Sequence, residues 1–416
     1  MRGSGSAVSG PRVLLVGYNG ANNTGAEALL LSDIADFLHV FGPGVSLTVP
    51  TLNESNLRRY VTEGAHLRIV PISPVFIRPV MRLVASHDLV VLVEGSTYMD
   101  TWTSALLWYF LWATRCATSR GIPCIAYAVD AGALSPLNRR LVRRIASATD
   151  MIIVRSAAAA ERLRGWGVTA PLHDTADNAF NFAPRERDLD LLSRLWPRHG
   201  RPVVGIAPVD FARWPVVIRL WGGKESCYRW PYYFSHSKSR SAAADRMARM
   251  LAAFADWLVE SLGAAVALFC MEELDQPMAQ RILSMMRHPD AAMTFSAQRL
   301  DASQMTAVLR SLDYLVTSRF HAAVLSLRAS VPQIAIGHDL RLPTLYADLG
   351  IRDEFFLEHR AVDLDVLQAR FDDMRVREVE LRRRLAEGHA AHAGRAAQNR
   401  LLLARFARQA ALRTVE

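Results

Sequence analysis

Short apolar runs alternate with longer runs of helical period along most of the chain. Arg12 to Gly17, Ser46 to Val49, Leu67 to Ile72, Asp88 to Val93, Pro123 to Ala128 and Met151 to Val154 are apolar at successive positions. That is the pattern of strands buried on both faces of a parallel sheet. Helical periodicity starts near Thr24 and returns over Thr101 to Thr118, Asn138 to Ser147 and Ala157 to Gly165, the last closed by glycine. His173 to Asn178 reads as one more strand end. From Phe182 to about Gly200 the sequence is charged and irregular, and then the alternation restarts. Strands are predicted at Pro202 to Pro208, Ala264 to Met271, Met293 to Phe295, Asp313 to Val316 and Gln333 to Gly337. Helices are predicted at Ala242 to Leu262, Pro277 to Met286, Ser303 to Ser311 and from Thr317 onward. Past Leu364 the chain reads as helical and rich in arginine.

Two successive β/α alternations predict an α/β protein of two Rossmann-like, doubly wound domains in a GT-B-like arrangement, followed by a C-terminal helix. The expected limits are a disordered start over 1–10, an N-terminal domain over 11–185 and a linker over 186–201. A C-terminal domain over 202–363 and a basic helical segment over 364–416 complete the division. Residues 209–240 show little periodicity but many aromatic and basic side chains, which fits either a lid or an ordered insertion.

Composition narrows the class. A length of 416 residues exceeds one ordinary core, and 51% hydrophobic with 21% charged residues describes a globular chain. No apolar run reaches the roughly 18 residues that span a bilayer. The helix over Thr101 to Thr118 carries Trp102, Trp108, Tyr109, Phe110 and Trp112, which reads as burial rather than lipid contact. Met1 to Ser6 lacks the apolar stretch of a signal peptide, so an intracellular location is expected. Cys116, Cys124, Cys227 and Cys270 form no paired motif and read as reduced packing residues. The formal charge of +9 comes mainly from arginine and suits anionic partners, a phospholipid surface among them.

The chemistry gathers at strand ends. Ser318-Arg319-Phe320-His321 stands where a strand gives way to a helix, an edge at which open α/β sheets bind ligands. The helix N-terminus and the arginine fork both favour an anion there, and His321 can pass a proton. Asn22, Asn23 and Gly25 lie in a Gly/Asn-rich loop after the first strand. That loop is neither a Walker loop nor a dinucleotide fingerprint. Glu94, Ser96 and Asp100 follow the fourth strand and can bind hydroxyls or cap the next helix. Asp130 and Asp177 follow later strands, and Arg341 follows the last. No metal-ligand cluster is legible.

The ordered set of motifs resembles the polysaccharide pyruvyl transferase family from about Arg12 to Ile351. It comprises Gly17-Tyr18, Asn23-Thr24-Gly25-Ala26-Glu27-Ala28, Glu94-Gly95-Ser96 with Asp100, and Gly121-Ile122-Pro123. Asp150 to Arg155, Asp177, Ser318-Arg319-Phe320-His321-Ala322, Val331-Pro332 and Asp339-Leu340-Arg341 complete it. The resemblance implies transfer of a pyruvyl group from phosphoenolpyruvate to two sugar hydroxyls, forming a ketal and releasing phosphate. It implies that Arg319 and His321 contact the donor; with Phe320 between them, and Arg341 and Arg229 or Lys224 as basic positions able to neutralise the remaining charge, these residues form the expected donor site in the C-terminal domain. His321 is the candidate acid, and Asp177, Asp130, Asp100 or Glu94 the candidate base for the acceptor hydroxyl. Acceptor contacts are then expected from Asn22, Asn23, Gly25, Glu94, Ser96, Asp100 and Asp130 in the N-terminal domain. Glu94 replaces a common glycine, Ala26 a frequent aspartate, and Asp130-Ala131-Gly132 a glycine-proline turn, so the acceptor is expected to differ from an ordinary polysaccharide unit.

No cofactor, metal or nucleic acid is expected. The partners are phosphoenolpyruvate and a sugar or lipid-linked glycan of cell-envelope polysaccharide biosynthesis, handled in the cytoplasm, with contact to the inner face of the membrane compatible with the basic helix. Oligomeric state is not legible. Two other readings stay open: a GT-B glycosyltransferase using a nucleotide sugar, and a non-catalytic anion- or glycan-binding protein of the same fold.

Overall fold

The structure, a computed structural model, describes residues 10–101, 103–197, 200–211, 216–225, 230–235, 237–337, 340–412 and 414. The chain divides into two compact units. The first takes residues up to Gly20, Leu29–Asn181 and the chain from Ala393 on; the second takes Ala21–Ala28 and Phe182–His392.

The first unit is built on a seven-stranded parallel sheet in the order β3-β2-β1-β4-β5-β6-β7. Its strands are β1 (Arg12–Val16), β2 (Ser46–Thr51), β3 (Leu67–Pro71), β4 (Leu89–Leu92), β5 (Cys124–Val129), β6 (Met151–Val154) and β7 (Leu172–Asp174). The helices are α1 (Thr24–Phe41), α2 (Glu54–Leu57), α3 (Ile77–Ala85), α4 (Ser104–Thr118), α5 (Pro136–Ala146) and α6 (Ala157–Gly165). Unbroken apolar strands follow from cover on both faces. Val80 of α3, Phe110 of α4 and Val142 of α5 pack with Val90, Leu92 and Ile152 in one core. Leu30 and Phe37 of α1 pack with Val13, Leu15 and Val91 in the other, which Leu403, Phe406 and Ala407 also join.

The second unit adds α7 (Leu191–Leu195), β8 (Val203–Ala207), β9 (Val216–Ile218), β10 (Tyr232–Phe234), α8 (Lys238–Leu262), β11 (Ala265–Cys270), α9 (Gln276–Met285), β12 (Ala292–Ser296) and α10 (Ala302–Arg310). It continues through β13 (Tyr314–Thr317), α11 (Phe320–Leu327), β14 (Gln333–Gly337), α12 (Arg341–Asp348), α13 (Arg352–Phe355), β15 (Phe356–Glu358), α14 (Leu364–Val376) and α15 (Glu378–Gln409). Its six-stranded sheet, β12-β11-β8-β13-β14-β15, is parallel throughout. In both sheets the winding reverses beside the first strand, between β1 and β4 and between β8 and β13. These are the switch points at which such sheets bind ligands.

The structure departs from the expected elements at several places. The segment 186–201, expected as a linker, holds a short 3-10 turn and α7. It is tied down from Arg185, whose backbone N–H donates to Ser303 at 2.7 Å and whose guanidinium pairs with Asp188 and Asp301. Within 209–240 the described residues include an antiparallel hairpin of β9 and β10. Helix α3 was not anticipated, because Pro79 interrupts its apolar spacing. In α4, Tyr109 and Phe110 are buried as expected, but Trp108 is 37% exposed; Trp102 lies outside the described residues. Cys116, Cys124 and Cys270 are buried free thiols. Among the described residues no helix is long and apolar enough to cross a membrane.

Besides its apolar contacts, the last helix is tied to the end of β7 by a buried asparagine. Asn399 accepts from the Thr175 hydroxyl at 2.5 Å and donates to the Ala176 carbonyl at 3.1 Å. Asn399→Ala should therefore destabilise the fold by about 2 kcal/mol, leaving buried polar groups unpaired. Urea unfolding should show a lower midpoint at an unchanged slope.

Candidate functional site

At the end of β13, Thr317 turns the chain. Its hydroxyl accepts from the Arg319 N–H at 2.9 Å and donates to the Arg319 carbonyl at 3.0 Å, and α11 begins at the next residue. The Arg319 side chain is about 15% exposed, and its guanidinium is held by carboxylates. Its Nε donates to Asp275 at 2.9 Å, its Nη2 also meets Asp275, and its Nη1 lies 3.1 Å from Glu272. Glu272 and Asp275 are themselves buried and brace each other, with the Glu272 N–H donating to Asp275 at 3.0 Å. Burial opposes the charge on Arg319, but the two carboxylates outweigh it and raise its pKa, so the cation is permanent. The fork, expected to hold phosphate, ties the end of β13 to the turn after β11 in this structure. Sequence spacing showed the arginine but not the acidic turn that folds against it.

The Gly/Asn-rich loop is fastened to the same turn. Asn22 donates to Glu273 at 2.7 Å, the Glu273 N–H donates to the Asn22 carbonyl at 3.1 Å, and the Thr24 N–H donates to Met271 at 2.9 Å. Asn23 caps α1 by accepting from the Ala26 N–H at 3.1 Å. Asn22, Asn23 and Gly25, expected on the N-terminal, acceptor side, therefore pack within the second unit. Gly25 lies against His321: a β-carbon there would sit 2.0 Å from Nδ1 and 2.3 Å from Cγ of the imidazole. Phe320 meets the other side of the motif, its ring edge-on to His321 at 5.2 Å. Arg341 is half-buried at the start of α12. Arg229, also expected at the donor site, lies outside the described residues.

In the first unit a second buried arginine organises the strand ends. Arg155, directly after β6, donates from Nη1 to Asp177 at 2.6 Å and from Nε and Nη2 to Asp130 at 3.0 and 2.9 Å. The remaining oxygens accept backbone N–H groups, Asp177 from Ala179 and Asp130 from Ala131. A β-carbon at Gly95 would stand 2.4 Å from Arg155 Nη1, so glycine is required for the guanidinium to lie there. Asp177, expected as the base, and Asp130, expected at the acceptor, are thus the two arms of an ion-pair triad. A register shift in β5, with Ala128 in the left-handed region at φ 53°, turns the chain into Asp130. Asp100 accepts from the Ser135 N–H and from Asn138, which fixes the start of α5. Glu94 accepts from the Tyr18 N–H at 3.3 Å across the switch point and from the Ser96 N–H and hydroxyl at 3.2 Å. In the sequence Arg155 is marked only by its place, a cation directly after an apolar strand.

Beside Asp177 in sequence, Asn178 donates to Asp33 at 2.8 Å and to Asp36 at 3.0 Å, and the Tyr127 hydroxyl donates to Asp36 at 2.8 Å. Burial, which the Asn178 hydrogen bond only partly offsets, pushes the Asp33 carboxyl well up from its ordinary range.

A family model for polysaccharide pyruvyl transferase matches residues 23–339. A search of curated proteins finds no match. Among solved structures, Staphylococcus aureus MnaA with UDP is similar at 11% identity and a TM-score of 0.59, over 93% of each chain. UDP-GlcNAc 2-epimerase from Neisseria meningitidis, bound to UDP-GlcNAc, is similar at 9% identity and 0.57, over 95% of this chain and 100% of that one. Sucrose-phosphate synthase from Thermosynechococcus elongatus is similar at 11% and 0.55, over 96% and 98%. At these identities the likeness establishes the fold, two Rossmann-like domains of the GT-B-like class, and nothing about ligands.

Three measurements test this geometry. Arg319→Ala should lower stability by about 3–5 kcal/mol in the absence of any ligand, because it strands two buried carboxylates; a surface anion-binding arginine would leave the urea midpoint unmoved. Gly25→Ala should destabilise by about 1–3 kcal/mol by driving a methyl group into the His321 ring, with the imidazole proton resonances displaced in NMR spectra. For Asp33 the native pKa exceeds the unfolded one. Its stabilising contribution is complete below the unfolded value, about 4, and is lost as pH rises towards the native value. Asp33→Asn should therefore gain stability relative to the parent as pH increases from about 4 to 8, read from paired urea titrations.

Proposed function

Because the chain belongs to the polysaccharide pyruvyl transferase family, we propose that it moves the pyruvyl group of phosphoenolpyruvate onto two hydroxyls of a glycan, leaving a cyclic ketal and releasing phosphate. The observation that carries this reading is His321, held at the N-terminus of α11 against Gly25 by a strand end that Arg319 latches in place. An imidazolium there donates a proton to the methylene carbon of the donor, making it a methyl group and leaving positive charge on the adjacent carbon. One acceptor hydroxyl adds to that carbon and loses its proton. The carbon–oxygen bond to phosphate then breaks with its electron pair leaving on phosphate, and the second hydroxyl adds and loses its proton. Arg319 acts in this scheme as a positioning residue. The N–H groups opening α11, with Arg341 at the start of α12, are the donor-phosphate contacts we assign.

Recognition of sugar hydroxyls falls to the switch point of the first unit, where Glu94 and Ser96 stand after β4. Asp177 and Asp130, committed to Arg155, serve to shape that edge. On this reading the protein works in the cytoplasm on a glycan of the cell envelope. A second reading, a nucleotide-sugar transferase, is supported by the fold shared with enzymes whose structures hold UDP or UDP-GlcNAc.

Thermal midpoints measured with phosphoenolpyruvate and with UDP-sugars separate the two, since a ligand selective for the native state raises the midpoint. Phosphoenolpyruvate should stabilise the protein, and with a diol-bearing glycan should yield phosphate and a ketal. His321→Gln should lower kcat by about 100-fold or more with little change in stability. Stabilisation by UDP-sugars alone, or unaltered turnover in His321→Gln, would refute the assignment.

A further inference from the structure

Helices α3, α4 and α5 lie side by side over one face of the first sheet, α3 against α4 and α4 against α5. Indole N–H groups stitch them together: Trp112 donates to the Ile77 carbonyl and Trp108 to Asn138, each at 2.9 Å. Within their bounds these helices carry seven arginines and not one aspartate or glutamate. Arg78 and Arg82 on α3, Arg115 on α4, and Arg139, Arg140, Arg143 and Arg144 on α5 are all exposed. None of the seven is ion-paired among the described residues. The contrast is with the start of α15, where Arg382, Arg383 and Arg384 are paired with Glu378, Glu387 and Glu354.

Apolar side chains project from the same surface. Val75 and Ile77 are each 53% exposed and Leu137 is 62% exposed, with Trp108 between them in the helix order. Between α4 and α5 runs a groove of about 380 Å³ lined by Trp108, Trp112, Leu141 and Ile145 together with Arg115 and Arg144. Aliphatic tips and indole faces among unpaired guanidinium groups suit the boundary between lipid headgroups and acyl chains, where apolar burial and attraction to phosphate act together. A nucleic-acid backbone would use the arginines but gain nothing from Val75, Ile77 and Leu137. We infer that the face formed by α3, α4 and α5 docks on a bilayer rich in anionic phospholipid, and that α15 does not. The inference stands on this surface alone and does not depend on the reaction proposed above.

The test is co-sedimentation of the full chain with vesicles of phosphatidylcholine alone and of equimolar phosphatidylcholine and phosphatidylglycerol, at about 0.1 M salt. The parent protein should pellet with the anionic vesicles only. The triple variant Arg139→Glu, Arg143→Glu, Arg144→Glu should partition at least about 100-fold more weakly, while its circular dichroism and melting midpoint match the parent. Arg405→Glu with Arg408→Glu on α15 should bind as the parent does. Brominated lipid should quench tryptophan fluorescence less in Trp108→Phe. Failure to pellet with anionic vesicles, full binding by the triple variant, or loss of binding in the α15 variant would each overturn the inference. Equal competition by a DNA duplex for the same arginines would replace the bilayer with nucleic acid.

Discussion

Taking a guanidinium out of water is costly, several kcal/mol even after the surroundings relax, and it is tolerated only where carboxylates and hydrogen bonds meet the charge. Arg155 and Arg319 both meet that condition in the same way. Each stands just past the end of a buried parallel strand, and each is clasped by two carboxylates: Asp130 and Asp177, past the ends of the strands on either side, in one unit, and Glu272 and Asp275, from the single turn after β11, in the other. The carboxyl edge of a parallel sheet is where loops are otherwise held least. A planar cation with five N–H donors fixes several of them at once. His321, one helical residue beyond Arg319, inherits its position from that arrangement, as Gly95 inherits its lack of a side chain from Arg155.

Both Rossmann-like alternations were legible because strands buried on two faces need no polar alternation, and β6, α6 and β14 fall where Met151 to Val154, Ala157 to Gly165 and Gln333 to Gly337 place them. What the sequence could not show was pairing at a distance. Arg319 and Asp275 are 44 positions apart, Asn22 and Glu273 are 251 apart, and no local pattern records either contact. Several of the residues nominated from the chain have contacts of this long-range kind. Asp177, Asp130 and Arg319 hold strand ends, Asp100 holds a helix start, and the loop of Asn22 to Gly25 belongs with His321 rather than with Glu94. The period of α3 is masked by a proline inside its nine residues, though Val80 and Val84 are buried once it is folded.

The arginines thus divide by environment. Buried ones serve architecture, the three at the start of α15 are neutralised by glutamates, and those of α3, α4 and α5 are exposed with no acidic partner among the described residues. Net charge alone could not separate these classes, since each contributes the same formal +1. Only the placement of carboxylates around each guanidinium tells which positive charge is left for something outside the molecule.

The interrupted course of the chain through its two units bears on how it is made. The core of the first unit includes Leu403, Phe406 and Ala407, and Asn399 ties off the end of its last strand. All four follow the whole of the second unit in the chain, whose main stretch runs from Phe182 to His392. During synthesis at about 5–20 residues per second, the half that emerges first must wait on the order of 10 to 40 seconds for the residues that complete it. Until then one apolar face of its sheet stays partly open, a window in which chaperones can bind and in which a slow or paused ribosome would leave the nascent chain exposed to aggregation.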